Sequence, residues 1–332
     1  MLELLEQVRV KQIRSLRYKH ISDPSFEYLV SSGMVRRGWI SREPLRKAIA
    51  IKSSIESLAT TSAHKNALML ALLSEIIQGA SNVKFGPELY CGKKKRNFDV
   101  FAGFEKRVKA FASDLEKVSL LQAGKVRVFE GDSRKCYDIL GNHRKRRYTA
   151  AICSPPYPTE HDYTRNSRLE LAMLENVVDR ATLRAIKEQM IRSHTKNIYS
   201  EDNDSVLVEK HVVIKKLVSE LDRKTKDTDH GFGRLYSTVV LEYFGGMRRH
   251  FKSLRKLLKP DAKCAYVVGD QASYVGVHIS TAEILGSLAA EVGFEVVDIE
   301  HWRNRWSTSL SKRISENILI LQKRPKVSNG SR

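Results

Sequence analysis

The chain has 332 residues, 42% of them hydrophobic and 29% charged, and its 58 Lys and Arg against 38 Asp and Glu give a formal charge of +20. A hydrophobic fraction of that size excludes a disordered chain and supports one large or two ordinary domains, while the basic excess (pI near 9.8) favours a polyanionic partner. Cysteines 91, 136, 153 and 264 form no Cys-x-x-Cys pair, so no zinc site, other metal site or disulfide framework is expected. No apolar run reaches spanning length, and the acidic start Met1-Leu-Glu-Leu-Leu-Glu is unlike a secretory signal, which predicts a soluble cytoplasmic protein with no membrane partner.

In chain order, residues 1–120 read as a helical region. Residues 45–58, 66–77 and 104–118 place apolar side chains at three- and four-residue spacing. Gly38-Trp39-Ile40-Ser41 leads into the first of these with Ser41 as N-cap, and 82–95 reads as a loop with a basic cluster. From 121 the pattern changes. Residues 125–129 form a short β-prone run ending at Gly131-Asp132, and 148–153 form a second ending at Ser154-Pro155-Pro156-Tyr157. A helix is expected over 166–178, followed by a polar, mixed segment at about 179–235 with a flexible part at 224–233. Residues 239–258 read as a long helix stopped before Pro260. Then come a strand over 263–268 ending in Gly269-Asp270, a helix over 281–292, and strands over 294–299 and 317–321 joined by a basic linker into a hairpin. Strands alternating with helices predict an α/β sheet with helices on both faces. The domain reading is 1–120 helical, 121–325 catalytic with 179–235 inserted, and 326–332 a flexible tail.

Ser154-Pro155-Pro156-Tyr157 suits one task, gripping an exocyclic amino group on a flat ring. The first proline has no N–H and a fixed φ, so the turn is stiff. Ser154 Oγ and the Pro155 carbonyl then offer two acceptors to the two N–H donors of one –NH2, and Tyr157 offers a stacking face. An ordinary Pro-Pro turn after a strand is the alternative. Basic runs at 93–96, 144–147, 248–259 and 303–313, with Tyr243, Trp302 and Trp306 among them, point to nucleic acid, and Lys93, Arg303 and Arg305 are the expected contacts. Asp162, Tyr163 and Arg165, just past the turn, line a pocket or meet a phosphate; a loop folding back on its strand is the other reading.

The run Ala151-Ile-Cys-Ser-Pro-Pro-Tyr-Pro-Thr-Glu-His-Asp-Tyr-Thr-Arg resembles the catalytic region of bacterial DNA amino-methyltransferases, the cytosine-N4 and adenine-N6 group. Asn82-Val-Lys-Phe-Gly-Pro-Glu, Tyr243-Phe-Gly-Gly-Met and Ala265-Tyr-Val-Val-Gly-Asp-Gln-Ala-Ser-Tyr resemble the same family in order, so the resemblance runs from about Trp39 to Leu321. It implies a Rossmann-like methyltransferase sheet, S-adenosylmethionine as cofactor, double-stranded DNA as substrate and a place in restriction-modification. The Ser-Pro-Pro-Tyr form is typical of cytosine-N4 members, with adenine N6 as the alternative target. Asp132, on its Gly131 turn, would by this resemblance accept a hydrogen bond from the adenine amino group of the cofactor; a turn aspartate holding its own loop is the alternative.

The chain departs from the family in one respect. No Phe-x-Gly-x-Gly turn follows a strand: Phe101-Ala-Gly-Phe reads as helix, Tyr243-Phe-Gly-Gly-Met falls far past the catalytic turn, and Gly231-Phe-Gly follows a polar loop. If 125–129 is the third strand of such a sheet and 148–153 the fourth, the two central strands between them are missing. A split enzyme with a second polypeptide, a truncated gene and a different strand assignment all account for this; the complete catalytic turn favours the split enzyme. A non-catalytic DNA-binding remnant is the alternative from a different class.

Overall fold

The computed structural model describes residues 2–16, 22–86, 89–121, 124–145, 147–226, 231–307 and 310–325. The expected tail at 326–332, Pro87 and Glu88 of the 82–88 segment, and 227–230 of the expected flexible segment lie outside the described residues. The chain divides into two units, Met1–Arg127 with Tyr163–Ile186, and Val128–Asp162 with Lys187–Arg332.

The first unit is helical, as the apolar spacing requires. Helices Leu2–Ser15, Pro24–Ser31, Arg42–Leu58, Ser62–Glu75 and Val100–Ser119 bury one apolar stripe each, and Leu45, Ile49, Leu68, Leu72, Phe104 and Val108 meet in a common core. Asp23 and Asp99 cap their helices by accepting from backbone N–H groups one turn in. Ser41 takes the N-cap position but makes no side-chain capping bond. The 82–95 loop folds into a small antiparallel pair, β1 (Val83–Lys84) with β2 (Tyr90–Cys91). The Lys52 ammonium is buried and donates to Asp23 (2.9 Å), Ser25 (3.0 Å) and Glu175. A buried cation requires such partners, and this one fastens the 163–186 segment to the unit.

The second unit is mixed α/β. Its sheet has four strands, β3 (Tyr148–Cys153), β4 (Leu258–Gly269), β5 (Phe294–Ser307) and β6 (Lys312–Lys323), in the order β3-β4-β6-β5. β3 and β4 are parallel, with Cys153 level with Tyr266; β4–β6 and β6–β5 are antiparallel. Parallel neighbours need a crossover, and the helix Tyr236–Arg255 lies in it. Its Phe244, Met247 and Phe251, with Leu285 and Leu288 of the helix Thr281–Glu291, pack on Tyr266, Val268, Leu319 and Leu321. Among the described residues no helix is long and apolar enough to cross a membrane.

Three expectations are corrected. Residues 125–129 form no strand: 124–130 carry no regular structure, and Val126 and Val128 are 85% and 90% exposed. A strand needs a partner strand, and 125–129 belong to neither sheet of the described residues. The linker between the last two strands is itself mostly strand, placing Arg303 and Arg305 in β5 and Lys312 and Arg313 in β6. The helix expected over 166–178 is confined to Arg168–Met173, next to the short helix Tyr163–Asn166. Tyr243-Phe-Gly-Gly-Met lies inside the long helix, as expected for 239–258.

Its glycines serve packing there. A Cβ on Gly245 would fall 1.9 Å from the Asp204 carbonyl oxygen, whereas one on Gly246 would meet only side chains, the Asp204 carboxylate at 3.2 Å, Ile191 at 3.3 Å and Arg134 at 3.6 Å. Gly245→Ala is therefore expected to lose about 1–3 kcal/mol by overpacking against backbone, while Gly246→Ala, helped by better helix propensity, stays within about 1 kcal/mol of wild type. Urea titration of both variants measures this; equal losses would refute the close approach.

Candidate functional site

β3 delivers the Ser-Pro-Pro-Tyr turn at the carboxyl end of the parallel pair, where open α/β sheets place their ligand sites. Pro155 is buried and Ser154 exposed. Among the described residues the Ser154 hydroxyl has no hydrogen-bond partner, and no backbone donor reaches the Pro155 carbonyl. Both acceptors, on consecutive residues, are thus without a hydrogen-bond donor among the described residues. Tyr157 is held from the opposite end of the sequence: its hydroxyl donates to Glu316 Oε1 at 2.7 Å. Arg303 Nε donates to the other oxygen of Glu316. The Arg305 guanidinium lies over the Tyr157 ring, 5.7 Å from its centroid, and donates to the Asp270 carbonyl. This layering depends on a bare α-carbon at Gly269, where a Cβ would sit 2.9 Å from Arg305 Nε and 3.2 Å from the Tyr157 ring.

Glu316 is buried within this group. Burial alone would raise its carboxyl, but hydrogen bonds from Arg303 and Tyr157 and the charge of Arg305 outweigh it and hold the group below the usual glutamate range. Asp270 moves the other way, since burial pushes its carboxyl up; it accepts from Thr281 N at 3.1 Å.

Gly131 and Asp132 form a separate cluster. Gly131 has φ +149° and its α-carbon faces Ile139, whose Cδ1 a Cβ would meet at 2.6 Å. Asp132 caps the turn Ser133–Lys135 by accepting from Arg134 N at 2.8 Å, and the Arg134 guanidinium takes both its oxygens at 3.0 Å. Arg134 also donates to Asp204 at 2.7 Å, and Arg249 pairs with the same carboxylate. One side chain connects this cluster to the sheet. His250 lies 3.0 Å from the Ser133 carbonyl through Nδ1 and 2.8 Å from the Tyr266 hydroxyl through Nε2. Burial pushes the imidazole below its usual pKa, so the neutral ring donates from Nδ1 and accepts at Nε2. Tyr266 is the strand partner of Cys153, the residue before Ser154.

The loop beyond the turn is tied down within the second unit. Glu160, at φ +33°, accepts from the Thr195 amide and hydroxyl, both at 3.0 Å. Ser193 donates to the His161 carbonyl at 3.2 Å, and Lys187 pairs with Asp162 at 2.7 Å. Tyr163, Arg165 and Lys93 belong to the first unit, where Arg165 donates to the Leu89 carbonyl at 3.3 Å and Lys93 is exposed. The structure therefore gathers Ser154, Pro155, Pro156 and Tyr157 with Arg303 and Arg305, and keeps Gly131 and Asp132 in a neighbouring cluster linked through His250. Glu316, Arg134 and His250 were not anticipated. Glu316 carried a signal, a carboxylate at a position of β6 that alternates with buried Ile314; Arg134 and His250 carried none. Among the described residues no group of three or more His, Cys, Asp and Glu is placed to hold a metal ion.

No family model and no solved structure matches the chain. The type II methyltransferase M.AvaI of Nostoc sp. (strain PCC 7120) is 27% identical over 172 residues, and M.AvaI of Anabaena variabilis gives the same figures. The type II methyltransferase M.BsoBI of Geobacillus stearothermophilus is 27% identical over 177 residues. Half of this chain is similar to type II methyltransferases. Each match covers 49% of the chain and 34% of the relative, so the chain matches about a third of the length of these relatives.

Because the Glu316 carboxyl is held low, its ion pair stabilises the fold above the usual glutamate pKa of about 4.3 and ceases to do so as pH falls through the folded-state value. Glu316→Gln is expected to cost roughly 1–3 kcal/mol at pH 7, with the gap from wild type closing in acid. Thermal melts across pH 3–7 read this directly, and a gap independent of pH would remove the charge from the account.

Proposed function

We propose that this chain carries the base-binding turn of a S-adenosylmethionine-dependent DNA methyltransferase that modifies the exocyclic N4 of a flipped cytosine, and that a second polypeptide completes it. The observation that carries the reading is the open pair of acceptors, Ser154 Oγ and the Pro155 carbonyl, beside a tyrosine ring anchored by Glu316 and Arg305. A cytosine amino group presents two N–H donors in one plane, and two fixed acceptors match it. Holding both favours a pyramidal nitrogen and frees its lone pair, while Tyr157 stacks the extruded ring, which inside a duplex is paired and out of reach. The proline-stiffened turn supplies orientation without reorganisation, and no covalent intermediate on the protein is required.

The sheet order β3-β4-β6-β5 is, in this reading, one wing of a Rossmann-like methyltransferase sheet. The outer edge of β3, with Ile152 85% exposed, is where the two central strands belong. An open parallel edge is a liability that a partner removes. The residues present do not by themselves fit the cofactor. Both Asp132 oxygens are engaged by Arg134, Ile139 covers Gly131, and among the described residues none of the three candidate glycine turns follows a strand. The second polypeptide is accordingly assigned the cofactor pocket. Residues 179–235 are assigned to target recognition, Lys93, Tyr163 and Arg165 to phosphate contact, and Asp162 to shaping the approach to the turn. Arg303 and Arg305 act on substrate through the Tyr157 ring they hold.

The test is co-expression of the chain with a polypeptide bearing a Phe-x-Gly-x-Gly strand turn, followed by nucleoside mass spectrometry of the DNA. N4-methylcytosine is expected, and Ser154→Ala should cut turnover by roughly 10- to 100-fold, one lost hydrogen bond to the reacting group. N6-methyladenine would reassign the base, and undiminished turnover in Ser154→Ala would remove the turn from the chemistry. The chain alone is expected to bind S-adenosylmethionine weakly or not at all; tight stoichiometric binding by calorimetry would overturn the two-polypeptide reading.

A further inference from the structure

The β5–β6 hairpin is longer than the sheet it belongs to. β4 ends at Gly269, level with Glu316, yet β5 and β6 stay paired for four more residue pairs, Asn304↔Ser315 through Ser307↔Lys312. At about 3.4 Å per residue the two-stranded ribbon overhangs the sheet by roughly 13 Å. It does so at the carboxyl end of β3 and β4, the end from which the Ser-Pro-Pro-Tyr turn leaves.

The two faces of this overhang are chemically distinct. Arg303 and Arg305 alternate on one face with their register partners Glu316 and Ile314. Ile314 and Glu316 are buried, and both arginines are turned to internal duties at Glu316, Tyr157 and Asp270. The other face carries Asn304 and Trp306, opposite Ser315 and Arg313. Trp306 is 63% exposed and has no ring or cation partner among the described residues. Arg313, and Lys312 near the tip, are exposed and without an ion-pair partner among them. Trp302, at the bulge below, is half exposed with the Arg303 guanidinium 4.3 Å over its ring. Across residues 301–316 there are four Lys and Arg and a single carboxylate, Glu316, which is already paired.

We infer that the outward face of this ribbon, Trp306 with Arg313, Asn304 and Ser315, together with Lys312 near the tip, is a docking surface for a DNA duplex; this rests on the reading of the substrate as DNA. An isolated two-stranded ribbon is narrow enough to enter the major groove of B-form DNA. Unpaired cations on it meet phosphates, the small polar side chains reach base edges, and an unpartnered indole stacks or wedges where a base has left the helix. Exposing a tryptophan and two free cations on a protruding arm has no packing rationale in the unit itself. The inference also reassigns the basic cluster: Lys312 and Arg313 meet the nucleic acid, while Arg303 and Arg305 brace the arm against the turn it overhangs.

The full 332-residue chain is tested by titration into a mixed-sequence DNA duplex of about three helical turns, read by anisotropy over a range of salt and by tryptophan fluorescence. Trp39 is buried, so quenching on binding reports Trp302 and Trp306. Trp306→Ala is expected to weaken binding about 10-fold and lose much of the quench, with Trp306→Phe recovering most of the affinity. Lys312→Glu with Arg313→Glu should lower the log–log salt slope by roughly two. Lys106→Glu with Lys109→Glu, the same charge change on the helix Val100–Ser119, should leave affinity near wild type. Equal loss in that control, or unchanged affinity and slope in the ribbon variants, overturns the docking surface while leaving the methyltransferase reading standing. A loss confined to an RNA duplex overturns the choice of partner, and a wild-type chain that binds no duplex brings down both readings.

Discussion

Parallel pairing of β3 with β4 is the constraint on which the second unit depends. It sets Cys153 level with Tyr266 and so ends β3 three residues short of Gly269. That stagger leaves a step at the carboxyl edge, and the Pro-stiffened turn occupies it. Tyr157 then reaches Glu316, which β6 holds level with Gly269, and the absence of a side chain at 269 lets Arg305 lie against the tyrosine ring. The same level places Tyr266 within reach of His250 and, through it, of the Asp132 turn. A slip of one residue would turn every one of these side chains to the opposite face.

The neighbouring cluster shows how magnitude decides a role. Arg134 is shared between two buried carboxylates, Asp132 and Asp204. Removing one partner from a buried ion network costs on the order of 3–5 kcal/mol, more than one neutral hydrogen bond to a ligand returns, about 1 kcal/mol. A ligand amino group would therefore displace Arg134 from Asp132 at a net loss. In this arrangement Asp132 serves the turn and, through Gly245 and Asp204, the long helix behind it.

The helical half was legible because amphipathic spacing is local: 45–58 and 104–118 fall within observed helices almost to their ends. Tyr148–Cys153, the long helix before Pro260 and the final hairpin were legible for the same reason. Residues 125–129 have strand composition, but composition cannot supply a neighbour, and without one the run stays open to solvent. The turn's chemistry could be read from four residues because proline fixes the backbone wherever it stands. Its supports could not: Glu316 and Arg305 lie some 150 residues away, and only the sheet register brings them back. Arg303 and Arg305 were recognised as basic, but which face of a ribbon they occupy depends on the bulge at 302, which composition does not announce.

The β3–β4 pairing has a further consequence, for the order in which the chain acquires structure. Ala151 pairs with Cys264, more than a hundred positions later, so β3 remains without its neighbour β4 until the second half has been synthesised. At about 5–20 residues per second the interval is on the order of ten seconds, far longer than hairpin or helix formation. Helices and the β5–β6 hairpin form from nearby residues, whereas β3 and its turn lock in last, as expected of contacts with long sequence separation. The turn proposed to hold the base is thus among the parts the ribosome leaves waiting longest.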